Sequence, residues 1–185
     1  MLDDIEFLDD ATRPEPPRLE GLTEAQKAPG EHLKMVHDHL RENMQLLREL
    51  IARAAAGTVS PGQVVEETAN LAMIANYRRF GNLCGRYCQV VNIHHSIEDQ
   101  SIFPVLGSRS EVFRRITERL AAEHVVVHEL LVRLVGALTE LAREPSEANF
   151  AAARQLYETL ERVLLSHLGY EEDAIGDALG YFQVV

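Results

Sequence analysis

Cysteine is scarce in this chain of 185 residues, since Cys84 and Cys88 are the only two. Two cysteines cannot form the framework of several disulfides that stabilises small secreted domains. The first ten residues, MLDDIEFLDD, are acidic and lack the basic segment and the apolar run of a secretory signal. We therefore expect a cytoplasmic protein, because a reducing compartment suits a chain without a disulfide framework.

Positive charge and long apolar runs are also in short supply. The chain carries 18 Lys and Arg residues against 29 Asp and Glu residues, which gives a formal net charge of -11. Phosphate backbones and anionic membranes repel such a surface, so we expect neither nucleic acid nor a membrane as a partner. No apolar stretch approaches the roughly 20 residues of a transmembrane helix. Hydrophobic residues still make up 46% of the chain, which is enough for a packed core.

The first 30 residues differ in composition from the rest. They contain Asp-Asp twice, the run RPEPPR and the sequence KAPG. This density of proline and acidic residues favours an irregular arm. We therefore expect an acidic, proline-containing arm over residues 1–30 and a single domain over residues 31–185.

Four segments with helical periodicity follow the arm. Their apolar residues recur every three or four positions, as in an amphipathic helix. The predicted helices are A, from about Glu31 to Ala56; B, from Ser60 and Pro61 towards Phe103, ended by Pro104 and Gly107; C, from about Ser110 to Arg143; and D, from about Glu147 to Ala178. The connections are short and no strand pattern occurs. The sequence therefore predicts an all-α fold, an antiparallel up-down-up-down four-helix bundle.

Histidine and glutamate interrupt the apolar stripes of all four segments. In HHSIE, His94 and Glu98 are four residues apart, so on a helix they lie one above the other. The same spacing recurs in EHVVVH on helix C and in HLGYEE on helix D. Together the helices present five histidines and two glutamates on their apolar sides: His37, His94, Glu98, His124, His128, His167 and Glu171.

Taken singly, each of these groups has an ordinary structural explanation. A lone core histidine is more often structural than a ligand, and a His-x-x-x-Glu pair can be a surface pair. Seven polar groups converging in one core would each cost roughly 1–3 kcal/mol if they stayed unpaired. Metal ions would neutralise the carboxylates and accept the imidazole lone pairs. The set as a whole therefore predicts a metal site.

The number and type of the donors indicate which metal. Five imidazoles and two carboxylates are too many ligands for one tetrahedral zinc ion. Nitrogen-rich ligation with two carboxylates that can bridge suits two iron or manganese ions. Two divalent ions, two carboxylates and one bridging hydroxide would also leave the buried cluster nearly neutral.

The pieces HDHLR, HHSIEDQSIFP, EHVVVH and HLGYEE resemble the hemerythrin-like family, also called the HHE cation-binding domain. The resemblance covers about residues 31–179. It implies a four-helix bundle that holds two iron ions with a bridging oxo or hydroxo group. It assigns the ligands as follows: His124, His128 and His167 to one iron; His37 and His94 to the other, which keeps an open position; and Glu98 and Glu171 to the bridge.

The last motif departs from that of the family's oxygen carriers, which end with His-x-x-x-x-Asp. Here His167 and Glu171 form His-x-x-x-Glu, while Glu172 stands at the longer spacing and is the alternative ligand. We prefer Glu171 because it mirrors the pair of His94 and Glu98. The shorter spacing resembles the bacterial branch of the family, which includes oxygen or nitric oxide sensors and peroxide-decomposing proteins.

Three functions are compatible with these motifs. The first is a protein that binds dioxygen or nitric oxide at the open iron for sensing or storage, and this is our main expectation. The second is a di-iron enzyme that decomposes hydrogen peroxide. The third is a helical interaction protein whose histidines are structural. The sequence does not separate the first two, because both use the same ligands and differ in pocket polarity and access.

Several polar residues near the motifs receive weaker predictions. We expect His32 and His39 to be exposed, and His95 either to be exposed or to lie beside the ligands. Asp99 is expected to be solvated, with orientation of a ligand imidazole as the alternative.

The tyrosines and cysteines have simple packing interpretations. Tyr87 and Tyr170 either pack in the core or donate a hydrogen bond to a bound small molecule. Cys84 and Cys88 are expected to be small core residues.

Overall fold

The chain folds into a bundle of helices. The computed structural model describes residue 2, residues 4–57, residue 81 and residues 86–184. Its helices are α1 (Glu24–Gly57), α2 (residues 86–97), α3 (Phe103–Gly107), α4 (Glu111–Arg143) and α5 (Glu147–Tyr181). A π-helical turn, Glu98–Ile102, joins α2 to α3, and a short 3-10 turn, Asp10–Thr12, lies in the arm. Across these residues no strand occurs, and no helix is long and apolar enough to cross a membrane.

Helices α4 and α5 begin where the sequence predicts. The Ser110 side chain accepts a hydrogen bond from the backbone N–H of Phe113, and Ser146 does the same for Asn149. These N-caps satisfy backbone donors that the first helical turn leaves open. Helix α4 ends at Arg143 as predicted, while α5 continues past the predicted end to Tyr181.

Helix α1 begins earlier than predicted, at Glu24 rather than Glu31. Thr23 and Gln26 form a capping box, in which the Gln26 N–H donates to Thr23 Oγ1 at 3.3 Å and the Thr23 N–H donates to Gln26 Oε1 at 3.0 Å. Pro29 therefore lies inside the helix, where it removes one backbone donor. The signal for this start is present in the sequence as TEAQ, but the proline content of the arm obscured it.

Pro104 does not end helix B as predicted, whereas Gly107 does. Pro104 lies in the first turn of α3, where a missing N–H costs nothing because that N–H has no helical partner. The π-helical turn before it is what allows the helix to restart at Phe103. The predicted start of helix B at Ser60 and Pro61 lies outside the described residues, as does Cys84.

Helices α1 and α5 pack against each other in antiparallel directions. Gly30 near the start of α1 meets Gly176 near the end of α5. Further along α1, the backbone carbonyl of Met44 accepts a hydrogen bond from the hydroxyl of Tyr157, at 2.6 Å. Residue numbers thus rise along α1 as they fall along α5. This pairing carries His37 on α1 towards the C-terminal half of α5.

The apolar core has two parts, separated along the bundle. The larger part includes Leu40, Val91, Val127 and Leu164, and the smaller part includes Leu33, Phe103, Leu120 and Ile175. Helices α1, α4 and α5 contribute residues to both parts, whereas α2 contributes only to the larger part and α3 only to the smaller. The predicted ligands other than His128 occupy a polar layer between the two apolar parts.

Close approach of α1 and α5 depends on glycine, and this generates a stability prediction. A Cβ at position 180 would lie 1.8 Å from the carbonyl oxygen of Gln26, so Gly180→Ala must push the helices apart. We expect a loss of about 1–3 kcal/mol in the free energy of unfolding, measured by urea denaturation. Gly136→Ala on α4 is the matched control, because nothing lies within 4 Å of its Cβ and alanine favours a helix by about 1 kcal/mol. Equal stability of the two variants would contradict the prediction.

Candidate metal centre

The polar layer consists of histidines and glutamates that are almost completely buried. His37, His95, Glu98, His124, His167 and Glu171 are each at most 2% exposed, while the His94 side chain is 12% exposed. Burial of carboxylates and imidazoles in an apolar core is costly unless another group compensates them.

Four of the predicted ligands form one cluster. His37, His94, Glu98 and Glu171 each offer one ligand atom, and these atoms all lie within 4.8 Å of one another. The Nε2 atoms of His37 and His94 are 3.0 Å apart. Glu98 Oε1 lies 3.2 Å from His94 Nε2, and Glu171 Oε2 lies 3.6 Å from His37 Nε2. Helices α1, α2 and α5 and the π-helical turn supply this cluster.

A second cluster contains His95, His124 and His167, whose ligand atoms also lie within 4.8 Å of one another. The Nε2 atoms of His124 and His167 are 3.1 Å apart. Both glutamates of the first cluster reach this one as well. Glu98 Oε2 lies 3.7 Å from His124 Nε2, and Glu171 Oε2 lies 3.4 Å from His167 Nε2. The two carboxylates therefore stand between the clusters.

Three of the imidazoles are oriented by carboxylates on their outer side. The pairs, each joined through the Nδ1 atom, are His37 with Glu172 at 2.8 Å, His124 with Asp99 at 2.8 Å, and His167 with Glu123 at 2.9 Å. An imidazole that donates through Nδ1 keeps a lone pair on Nε2. Each of these rings therefore directs its Nε2 atom to the interior, as metal-bound histidines do.

The interior of the polar layer contains hydrogen-bond acceptors but few hydrogen-bond donors. The Nε2 atoms of His124 and His167 face each other at 3.1 Å. No carboxylate oxygen of Glu98 or Glu171 accepts a hydrogen bond from the described part of the chain. An acceptor left in this state costs roughly 1–3 kcal/mol, and more if it is charged. Cations held between the clusters would satisfy both the lone pairs and the carboxylates, so the donor set fits metal ions.

The imidazoles differ in protonation state in the metal-free chain. Burial acts to lower the pKa of His167, but the facing carboxylates of Glu123 and Glu171 raise it to about 9, so this ring would release a proton on binding a metal. Burial lowers the pKa of both His94 and His124 to about 4, so both rings are neutral near pH 7. Burial and the facing charge of Glu171 raise the pKa of Glu98 far above its ordinary value. In the absence of a cation, Glu98 is therefore held as a neutral acid beside Glu171.

Glu123 is the anchor of a network that the sequence did not predict. Its Oε1 accepts from Nε of Arg13 at 2.8 Å and from Nε of Arg119 at 2.7 Å, and its Oε2 accepts from Nη2 of Arg13 at 3.1 Å. Burial acts to raise the pKa of Glu123, but the hydrogen bonds from His167 and the two arginines lower it to about 2. No sequence signal pointed to this contact, because Arg13 belongs to the arm.

His128 lies outside the clusters, whereas His95 lies beside the ligands, which is one of the two positions expected for it. His128 is half-buried, belongs to neither cluster, and lines a groove of about 470 Å³ together with Cys88 and Leu131. His95 is fully buried, and its ring stacks on that of His124 with 3.9 Å between centroids. Helix α2 faces two neighbours at once, so adjacent residues both point inward: His94 towards His37 on α1, and His95 towards α4. Periodicity on a single face could not show this.

The structure separates the two candidate glutamates of α5. Glu171 is fully buried between the clusters, whereas Glu172 is 13% exposed and pairs with Arg41 at 2.8 Å as well as with His37. Glu172 thus orients a histidine from outside. Asp99 has the same role towards His124. Of the two expectations for Asp99, the structure therefore shows the orientation of an imidazole.

The remaining predicted residues lie away from the clusters. Tyr170 donates its hydroxyl to the carbonyl of Pro14 at 2.9 Å, so it serves the arm and not a bound small molecule. His32 and His39 are exposed, as expected. Cys88 is buried, and burial raises the pKa of its thiol to about 11, which fits a small core residue.

Comparison with known families agrees with this geometry. A model of the hemerythrin HHE cation binding domain matches residues 29–179. The chain belongs to this family. The matched residues include α2 to α4 and nearly all of α1 and α5, so they carry both clusters. Neither the curated proteins nor the solved structures include a significant match.

The buried carboxylate of Glu98 generates a pH-dependent prediction for the metal-free hemerythrin-like protein. The pKa of Glu98 is higher in the folded chain than its ordinary value of 4.5, so the folded state binds the proton more tightly. Below about pH 4.5, Glu98 is protonated in both the folded and the unfolded chain and costs no stability. As the pH rises above that value, the unfolded chain loses this proton first, so the free energy of unfolding falls. We expect Glu98→Gln to stabilise the metal-free protein at pH 7 by roughly 1–3 kcal/mol and to flatten this dependence.

Thermal and urea denaturation across pH 4–8 would check this, after treatment with a chelator. Glu158→Gln on α5 is the control, because Glu158 is an exposed carboxylate and should change stability by less than about 0.5 kcal/mol. A metal-free Glu98→Gln protein that is less stable than wild type at pH 7 would contradict the prediction.

Proposed function

We propose that this protein is a non-haem di-iron member of the hemerythrin-like family that binds dioxygen or nitric oxide for sensing or storage. One observation carries the proposal. Two clusters of buried ligand atoms share two carboxylates, and those carboxylates have no hydrogen-bond donor in the described part of the chain. Two bridged cations satisfy this arrangement better than one, because Glu98 and Glu171 each reach histidines of both clusters.

In this proposal, each of the two ions is held by its own pair of histidines, and the two glutamates are shared between them. His37 and His94 hold the first ion, and His124 and His167 hold the second. Glu98 and Glu171 bridge them, together with an oxo or hydroxo group. The family resemblance adds His128 as the third nitrogen ligand of the second ion. Imidazole and bridging carboxylate ligation suits iron, and the two negative charges offset much of the charge of the ions.

The residues around the ions decide what they can bind. His37 and His94 would hold the first ion, which would supply the binding position for a small molecule such as O2 or NO. The ions supply redox chemistry and ligand binding. The apolar layers on both sides, with Leu33 and Leu40 next to His37, exclude bulk water from the site. Glu172, Asp99 and Glu123 hold the imidazoles in the orientation that directs their lone pairs inward.

The proposal includes the up-down-up-down order of the bundle over residues 31–185. Two facts support it. Helices α1 and α5 are antiparallel, and only a short connection separates α4 from α5. In such a bundle, His37 near the start of the first long helix meets His167 and Glu171 near the end of the last.

Elemental analysis of the purified protein, combined with an absorption spectrum, tests the di-iron proposal. We expect about two iron ions per chain and near-ultraviolet charge-transfer absorption. His37→Ala should lose at least half of the iron, whereas His39→Ala, two residues away and exposed, should lose none. The reverse result would show that the register of α1 is wrong.

The same preparation distinguishes the alternatives. A stable coloured adduct with O2 or NO would support the binding protein. Evolution of oxygen from hydrogen peroxide would instead indicate a di-iron enzyme that decomposes peroxide. A protein that stays folded, colourless and free of metal after anaerobic addition of iron would refute both and leave a helical interaction protein with structural histidines.

A further inference from the structure

His95 is a buried imidazole that the predicted ligand set does not use. It is 0% exposed, and neither ring nitrogen has a hydrogen-bond partner among the described residues. Its neighbours are other imidazoles, with ring centroids 3.9 Å away for His124, 5.4 Å for His167 and 5.5 Å for His128. A polar ring buried in this way costs free energy unless one nitrogen has an acceptor for its lone pair.

The position of His95 matches that of a ligand to the second ion. One nitrogen of His95 lies within 4.8 Å of the ligand nitrogens of both His124 and His167. Two nitrogens bound to one ion at about 2.1 Å each are at most roughly 4.2 Å apart, so small side-chain adjustments would bring the three together. His128 is outside this cluster and half-buried in the wall of the groove.

We propose that His95, and not His128, supplies the third nitrogen ligand of the ion held by His124 and His167. The inference rests on the proposed di-iron function. It gives the ring's lone pair a partner and so reduces the cost of its burial. Helix α2 would then supply a ligand to each ion, because His94 would bind the first ion and the adjacent His95 would bind the second.

A matched pair of substitutions tests this assignment. His95→Phe and His128→Phe each replace an imidazole by an aromatic ring of similar shape that cannot bind metal. Iron per chain is measured by elemental analysis, and the absorption spectrum is recorded for each protein. We expect His95→Phe to hold about half of the wild-type iron and His128→Phe to hold all of it. Melting of both variants in the metal-free state checks that they fold.

A second variant keeps the test valid if His95→Phe does not fold. His95→Ala leaves a cavity that free imidazole can enter, and added imidazole should restore the iron content. The assignment is wrong if His128→Phe loses iron while His95→Phe keeps it, if both variants lose iron, or if neither does. Wild-type protein without iron would instead refute the di-iron function itself, so the two failures are distinguishable.

The N-terminal arm contacts the candidate metal centre through one side chain. The Arg13 guanidinium donates a hydrogen bond to each carboxylate oxygen of Glu123. Glu123 also accepts the hydrogen bond from Nδ1 of His167. Arg13 also donates to Ser166 at 3.0 Å and lies 4.8 Å from the ring centroid of Tyr170. An arm residue is thus two hydrogen bonds away from a proposed iron ligand.

The arm makes further contacts with α4 on the N-terminal side of Arg13. Arg119 donates to the carbonyl of Asp9 at 2.8 Å and to the hydroxyl of Thr12 at 2.7 Å. Further towards the N-terminus, Asp4 forms a two-point ion pair with Arg133, at 2.7 and 2.8 Å. The arm precedes residues 29–179, so this network is an addition to the matched domain.

We infer that Arg13 is a positioning residue that fixes His167 and limits its donation of electrons to the iron. A carboxylate on Nδ1 of a ligand histidine raises the basicity of the ring. Two guanidinium groups on Glu123 offset that effect by drawing its negative charge outward. Without Arg13, Glu123 would accept a stronger hydrogen bond from Nδ1 of His167. His167 would then donate more electron density to the iron. A stronger donor stabilises the oxidised iron and lowers the reduction potential.

The reduction potential of the iron-loaded protein tests this role. Arg13→Ala should lower the potential and shift the charge-transfer absorption, and Arg13→Lys should restore part of both changes. Asp4→Ala is the control, because it breaks another arm contact and leaves Glu123 untouched. Unchanged potential in Arg13→Ala, or an equal change in Asp4→Ala, would overturn the inference. Iron content of the wild type, measured first, separates this outcome from failure of the di-iron function.

Discussion

Two carboxylates buried without hydrogen-bond donors are the constraint on which the rest of this structure depends. Glu98 and Glu171 lie in the middle of the bundle, and no N–H group of the described residues donates a hydrogen bond to their oxygens. A core built only for stability would place leucine there, because unpaired carboxylates oppose folding. The arrangement becomes favourable when cations occupy the space between the clusters, which couples metal binding to the stability of the fold.

A ring of outer carboxylates makes the inner arrangement specific. Glu123, Glu172 and Asp99 each hold an Nδ1 atom, so the three imidazoles cannot rotate and their Nε2 atoms point inward. These outer carboxylates have partners of their own. Two arginines bind Glu123 and Arg41 binds Glu172, while Asp99 is exposed to solvent. The arm contributes to these outer contacts through Arg13, which binds Glu123.

Helix packing sets the distances within the site. The glycine contacts let α1 and α5 approach closely at one end, and the Met44–Tyr157 hydrogen bond fixes their register further along. His37 and Glu171 meet between these two points. The apolar layers above and below add most of the stabilising burial, so the polar layer can be tolerated as an interruption of an otherwise hydrophobic core.

Local spacing in the sequence was enough to predict the helical class, the starts of α4 and α5, and which polar residues share a helix face. His94 with Glu98, and His167 with Glu171, follow from the helical repeat alone, because that repeat is a property of a single helix. The inward position of His95, the outward position of His128 and the contact of Arg13 with Glu123, 110 residues away, do not follow from it. They depend on how helices and arm pack against one another, so only the tertiary structure decided them.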